Sequence, residues 1–88
     1  MIFTIEEARN ILKVDDEYSD PVIYQLLEAI PPYIQQTTGY TPQEGLYSPL
    51  AKTAARFILW QWFDGVDENT YKQQRVIDNL LKALSAER

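Results

Sequence analysis

Apolar residues recur along this chain at the three- and four-residue spacing of helices, in four stretches separated by short segments rich in Asp, Pro and Gly. The first stretch opens at Thr4, which forms the S/T-x-x-E capping box with Glu7, a reciprocal pairing that satisfies two backbone donors at a helix start. Ile5, Ala8, Ile11 and Leu12 follow on one face, and the helix ends near Lys13, a cation suited to a helix C-terminus. After a polar connection, Asp20-Pro21 reads as an N-cap followed by proline at the first helical position. Val22, Ile23, Leu26, Leu27, Ile30 and Ile34 mark the buried face of this second helix, and Gly39 is the natural residue to end it. Pro31-Pro32 interrupts it, so a kink or short break is expected between Ala29 and Pro32, with the apolar register resuming at Tyr33 and Ile34.

Tyr40 to Tyr47 is a loop holding Pro42 and Gly45, and Ser48-Pro49 repeats the cap-plus-proline start signal. The third helix runs from Pro49 to about Phe63. It is apolar on nearly every face, which marks a central helix surrounded by others. Its Ala51, Ala54 and Ala55 allow a neighbouring helix to approach closely, and Asp64-Gly65 ends it. The fourth helix runs from about Thr70 to Ser85, with a stripe of Val76, Ile77, Leu80, Leu81 and Leu84 opposite Lys72, Gln74, Arg75, Asp78, Asn79 and Lys82. No sustained alternation and no Asn-Gly turn competes with this reading. The expected fold class is therefore all-α. Residues 1–88 would form one four-helix domain with an apolar central third helix and a proline-kinked second helix.

Composition narrows the functional classes. A chain of 88 residues is one small domain. At that size only about two-thirds of the unfolded surface is buried on folding, so further burial against other copies adds stability. The chain has no cysteine and no histidine, which excludes disulfides, thiolate metal sites and the commonest general base. Its net charge of -5 disfavours tight, sequence-independent binding to phosphate backbones. The Met1 to Glu7 segment has no basic leader, and the most apolar run, Phe57 to Phe63, is too short to span a bilayer. A soluble protein of a cytosol-like compartment is expected, with no catalytic residues, cofactor or metal. An enzyme working with carboxylates alone is the weakest alternative.

Several clusters carry a functional and a structural reading. Asp15, Asp16, Glu17 and Asp20 could hold a hard cation, but the EF-hand glycine is missing, and a solvated loop that also caps a helix start is the favoured reading. Trp60 and Trp62 point about 200° apart around a helix, so one belongs to the core and the other to a contact surface. Trp62 continues the Ala55, Ile58, Leu59 spacing and is the expected inward one. The basic residues are dispersed, and no recognition helix stands out. Tyr18, Tyr40 and Tyr47 lie in or beside loops, where tyrosine often serves protein contacts; the structural alternative is that each ring covers the edge of its own core. Ile2 and Phe3 lie outside the first helix and serve either as a staple onto it or as contact residues.

The order of these signals resembles the phage head–tail connector (adaptor) family, small proteins also described as DNA-packaging proteins. The matching residues are Thr4-Ile5-Glu6-Glu7-Ala8, Leu12-Lys13-Val14-Asp15, Asp20, Leu26-Leu27-Glu28-Ala29 and Tyr33-Ile34, followed by Thr37-Thr38-Gly39-Tyr40 and Ala54-Ala55-Arg56-Phe57 through Trp60. The likeness spans roughly Ile2 to Gly65; Pro31-Pro32 and the long last helix depart from that family's pattern. The resemblance implies a structural, homo-oligomeric ring at the portal vertex of a tailed phage or prophage. The ring would touch the portal protein and tail-proximal neck proteins, and DNA would pass through it without specific binding. Such a subunit would occupy the host cytoplasm during assembly and then the virion neck. On that expectation the candidate subunit or partner contacts are Ile2, Phe3, Tyr18, Tyr40, Leu46, Tyr47 and Trp60. The candidate acidic lumen loops hold Asp15, Asp16, Glu17 and Asp20, then Asp64, Asp67 and Glu68. The other reading is a small helical regulatory or nucleic-acid-binding protein.

Overall fold

The capping box written into Thr4 and Glu7 forms as expected: the Glu7 amide donates to Thr4 Oγ1 at 3.1 Å and the Thr4 amide donates to Glu7 Oε1 at 2.9 Å. It starts α1 (Ile5–Leu12), the first of four helices in the computed structural model, which describes residues 2–65 and 70–87. The others are α2 (Asp20–Thr38), α3 (Pro49–Asp64) and α4 (Thr70–Ser85), so the all-α, four-helix expectation holds. α1 ends with Lys13 in the left-handed conformation, φ 58°. The Lys13 amide donates to the Asn10 carbonyl and the Val14 amide to the Arg9 carbonyl, the two bonds of a Schellman motif built on a lysine instead of a glycine.

α2 departs from expectation at its start but remains one element across its prolines. Its N-cap is Ser19, and Asp20 lies inside the first turn. The Asp20 carboxylate instead accepts two hydrogen bonds from the Arg9 guanidinium, Nε to Oδ1 at 2.9 Å and Nη2 to Oδ2. A bidentate, charge-assisted pair is stronger than one bond to a backbone amide, which is why the side chain turns away from the cap. Pro31 and Pro32 do not split the helix, which runs unbroken to Thr38 and stops at Gly39, φ 78°. Two proline rings leave the carbonyls of Leu27 and Glu28 without their amide donors, and an interior proline costs about 3 kcal/mol. Four fully buried side chains, Ile23, Leu27, Ile30 and Ile34, straddle the pair on one continuous face. Each contributes about 1.5–3 kcal/mol, enough to hold one helix across the prolines.

α3 begins as read from Ser48-Pro49, with Ser48 Oγ accepting from the Ala51 amide at 3.2 Å. Ala51, Ala54, Ala55, Ile58 and Leu59 are buried along it. The centre is shared, however: α2 and α3 each pack on every other helix, while α1 and α4 do not touch one another. The domain is flattened, with extents of 37 × 33 × 18 Å. On α4, Ile77, Leu81 and Leu84 are buried, and Leu80 packs at the core's edge. Val76 and, on α2, Val22 are exposed rather than part of the buried stripes, because each sits one position off the face its helix buries. Gln61 Nε2 donates to Gln74 Oε1 at 2.9 Å, tying α3 to α4, and Gln74 Nε2 donates on to Asp78 Oδ1.

No strand forms among the described residues, but the α2–α3 connection holds a small β feature that the pattern reading missed. Gln43 and Leu46 form an isolated antiparallel bridge, closed by the Leu46 amide on the Gln43 carbonyl at 2.9 Å. The two residues between them, Glu44 and Gly45, both have positive φ (54° and 78°), the signature of a type I′ turn. Glu-Gly stands where Asn-Gly is usual, so the signal was weak.

Candidate functional site

The candidate contact residues separate into buried and exposed groups. Ile2 and Phe3 are buried, joined to the core cluster that contains Ala8, Leu27 and Leu59. A buried side chain presents no surface to a partner, so these two belong to the core and not to an exposed contact surface. Tyr40 is also buried, and its role is specific. Its amide donates to Thr38 Oγ1 at 3.0 Å, and its hydroxyl accepts from the Ser48 amide at 2.9 Å. Tyr40 therefore joins the last turn of α2 to the N-cap of α3 and closes the connection between them into a strap. Thr38, buried on α2, donates in turn to the Ile34 carbonyl at 2.6 Å.

Tyr47 is half-buried against the core, whereas Leu46, next to it at the base of the turn, is 73% exposed. The strap is flanked by an open groove of about 820 Å³, lined by Tyr40, Thr41, Gln43, Leu46, Tyr47 and Glu87 among others. A smaller recess of about 200 Å³ lies against Pro31, Pro32, Pro42 and Tyr47. Ser48 Oγ, one of the hydroxyls bordering the larger groove, is engaged by the Ala51 amide.

Trp60 is half-buried, and its polar edge is occupied: the indole Nε1 donates to the Ile11 carbonyl at 2.7 Å. Its ring meets Phe57 edge-on, with centroids 5.2 Å apart. Trp62, the expected inward tryptophan, is half-buried as well but packs on the core cluster and stands edge-on to Tyr33 at 5.2 Å. Trp60 thus braces α1 against α3, and only part of its ring faces solvent.

The acidic turn between α1 and α2 divides in a similar way. Asp15, Asp16 and Glu17 are exposed, and Asp16 Oδ1 accepts from the Tyr18 amide at 3.0 Å, a local turn-capping bond. Tyr18 is 92% exposed. Asp20 is withdrawn from this set by Arg9, whose guanidinium holds the Asp20 carboxyl below the usual carboxylate range. The Arg9 guanidinium is in turn raised above its ordinary value by the same bond. Among the described residues no group of three or more His, Cys, Asp or Glu converges as a metal site would require. Asp64 is exposed at the end of α3, while Asp67 and Glu68 lie outside the described residues. The two proposed acidic loops are therefore represented by Asp15, Asp16, Glu17 and Asp64.

Tyr71, in the first turn of α4, is 86% exposed; it lies off the Ile77, Leu81 and Leu84 stripe. No helix among the described residues is long and apolar enough to cross a membrane. Fold and surface together define a small all-α protein whose largest exposed rings stand on the α1–α2 turn and on α4. No protein-family profile matches the chain, and no match to it was found among curated proteins or solved structures.

Proposed function

We propose that this chain is a structural head–tail connector subunit of a tailed phage or prophage, one of several identical copies that form a ring at the portal vertex. The sequence resemblance across Ile2 to Gly65 motivates the reading. The observation that supports it most directly is the exposure of Tyr18, Leu46 and Tyr71 on a domain whose core is already filled. Tyrosine is enriched where proteins meet, because its ring offers apolar contact area with a polar tip. In this reading the subunit assembles in the host cytoplasm, moves into the virion neck between the portal protein and tail-proximal proteins, and carries out no catalysis. Its net charge of -5 suits a passage through which DNA slides without sticking.

The test is to purify the chain together with the portal protein from the same genome and to image the product by electron microscopy. A ring of this chain stacked on the portal is the expected result. Failure to bind the portal, at micromolar concentration and in the presence of packaged heads, overturns the reading.

A further inference from the structure

We propose that the outer face of α4 is a docking site for a second copy of this chain, which presents its α1–α2 turn to it, so that copies join head to tail. The inference rests on the connector reading and specifies the contact that would build its assembly, with Asp15, Asp16 and Glu17 in that contact rather than in the lumen. Along α4, Lys72, Arg75 and Lys82 are exposed beside a single acid, Asp78, with Tyr71 and Val76 as exposed apolar area. The α1–α2 turn offers the opposite: Asp15, Asp16 and Glu17 beside an exposed Tyr18 in sequence, with Lys13 the one cation between Leu12 and Asp20.

Charge decides the mode of pairing. Two α4 faces brought together juxtapose cations, and two α1–α2 turns juxtapose carboxylates, so neither patch suits a two-fold contact with itself. One of each is complementary, with a tyrosine ring on both sides to supply desolvated contact area. Placement decides the outcome. α1 and α4 do not touch, so the two patches stand on separate parts of the domain and a copy that uses one keeps the other free for the next copy. Such a heterologous contact closes into a ring if the rotation between copies divides a full turn, and continues as a filament otherwise.

The test uses two charge-reversed forms of the full chain, D15K/D16K and K72E/R75E, all at exposed positions, with circular dichroism confirming that both stay folded. Sedimentation velocity at low salt is expected to show self-association of the parent, weakened by added salt. Each variant alone should associate about tenfold or more weakly. An equimolar mixture should recover association, because the altered turn of one variant complements the altered α4 of the other, and their two unaltered patches complement each other as in the parent. Association of both variants equal to the parent's overturns the proposed contact and leaves the connector reading standing. A parent that remains monomeric at millimolar concentration and low salt also overturns it, while the portal-binding experiment judges the connector reading separately.

Discussion

The indole Nε1 of Trp60 donates to the carbonyl of Ile11 at 2.7 Å, joining α3 to the end of α1 across 49 positions of sequence. The last carbonyls of a helix have no amide partner of their own. The Schellman bonds from Lys13 and Val14 satisfy Asn10 and Arg9, and Trp60 reaches the next carbonyl along. An eight-residue helix is too short to be stable alone, so α1 depends on contacts of this kind.

Replacing Trp60 with Phe keeps an aromatic ring but removes the donor. The Ile11 carbonyl is then left in a partly buried site without its partner, at a cost of about 1–3 kcal/mol. Urea unfolding followed by circular dichroism is expected to show that loss in Trp60→Phe. Amide exchange should quicken first in α1; exchange that quickens evenly over all four helices would argue against the brace.

The strap predicts a matching effect at Tyr40. Tyr40→Phe leaves the ring in the core and deletes only the hydroxyl that accepts from the Ser48 amide. A loss of about 1 kcal/mol in unfolding free energy is expected. Exchange at the Ser48 amide should speed up selectively, with α1 unaffected.

Two left-handed residues identify stabilising substitutions. Lys13, φ 58°, and Glu44, φ 54°, occupy conformations that glycine or asparagine adopt at lower cost. Lys13→Gly and Glu44→Asn should each raise stability by about 0.5–1 kcal/mol, the second by creating the favoured Asn-Gly type I′ turn. Both effects should add, since the two sites lie in different connections, and a thermal melt of the double variant checks this.

The Arg9–Asp20 pair predicts a pH dependence of definite sign. Arg9 lowers the Asp20 carboxyl below its ordinary value of 3.8 in the folded protein. A group depressed on folding contributes stability that is full above its unfolded value and is lost as pH falls through the folded value. The parent should therefore be more stable than Asp20→Asn at neutral pH, and the difference should shrink as pH drops below about 4. The capping-box carboxylate Glu7 is also lowered, by the Thr4 amide, and contributes in the same direction. Parallel acid-unfolding curves for parent and Asp20→Asn down to the most acidic pH would contradict the assignment.

Much of this protein was legible in its residues because the signals are local. Thr4 with Glu7, Ser48-Pro49, Gly39 and Gly65 start or stop helices through their own backbone and side-chain chemistry, and all four appear where that chemistry puts them. The buried stripe of Ile77, Leu81 and Leu84 follows from helical geometry alone. The chain's charge and its lack of histidine and cysteine are likewise composition, independent of fold.

The rest depended on which distant groups meet. Asp20 has the form of an N-cap, and only the approach of Arg9 from another helix turned it into an ion-pair partner. Pro31-Pro32 has the form of a helix break, and only the continuous burial of α2 against α3 and α4 kept the helix whole. Tyr40 and Tyr18 are the same residue type in similar loops, yet one is buried and bonded to Ser48 while the other stands in water. A local pattern determines what the backbone does over a few residues, but burial is a property of the assembled surface, and tertiary packing alone decides which side chains it takes in.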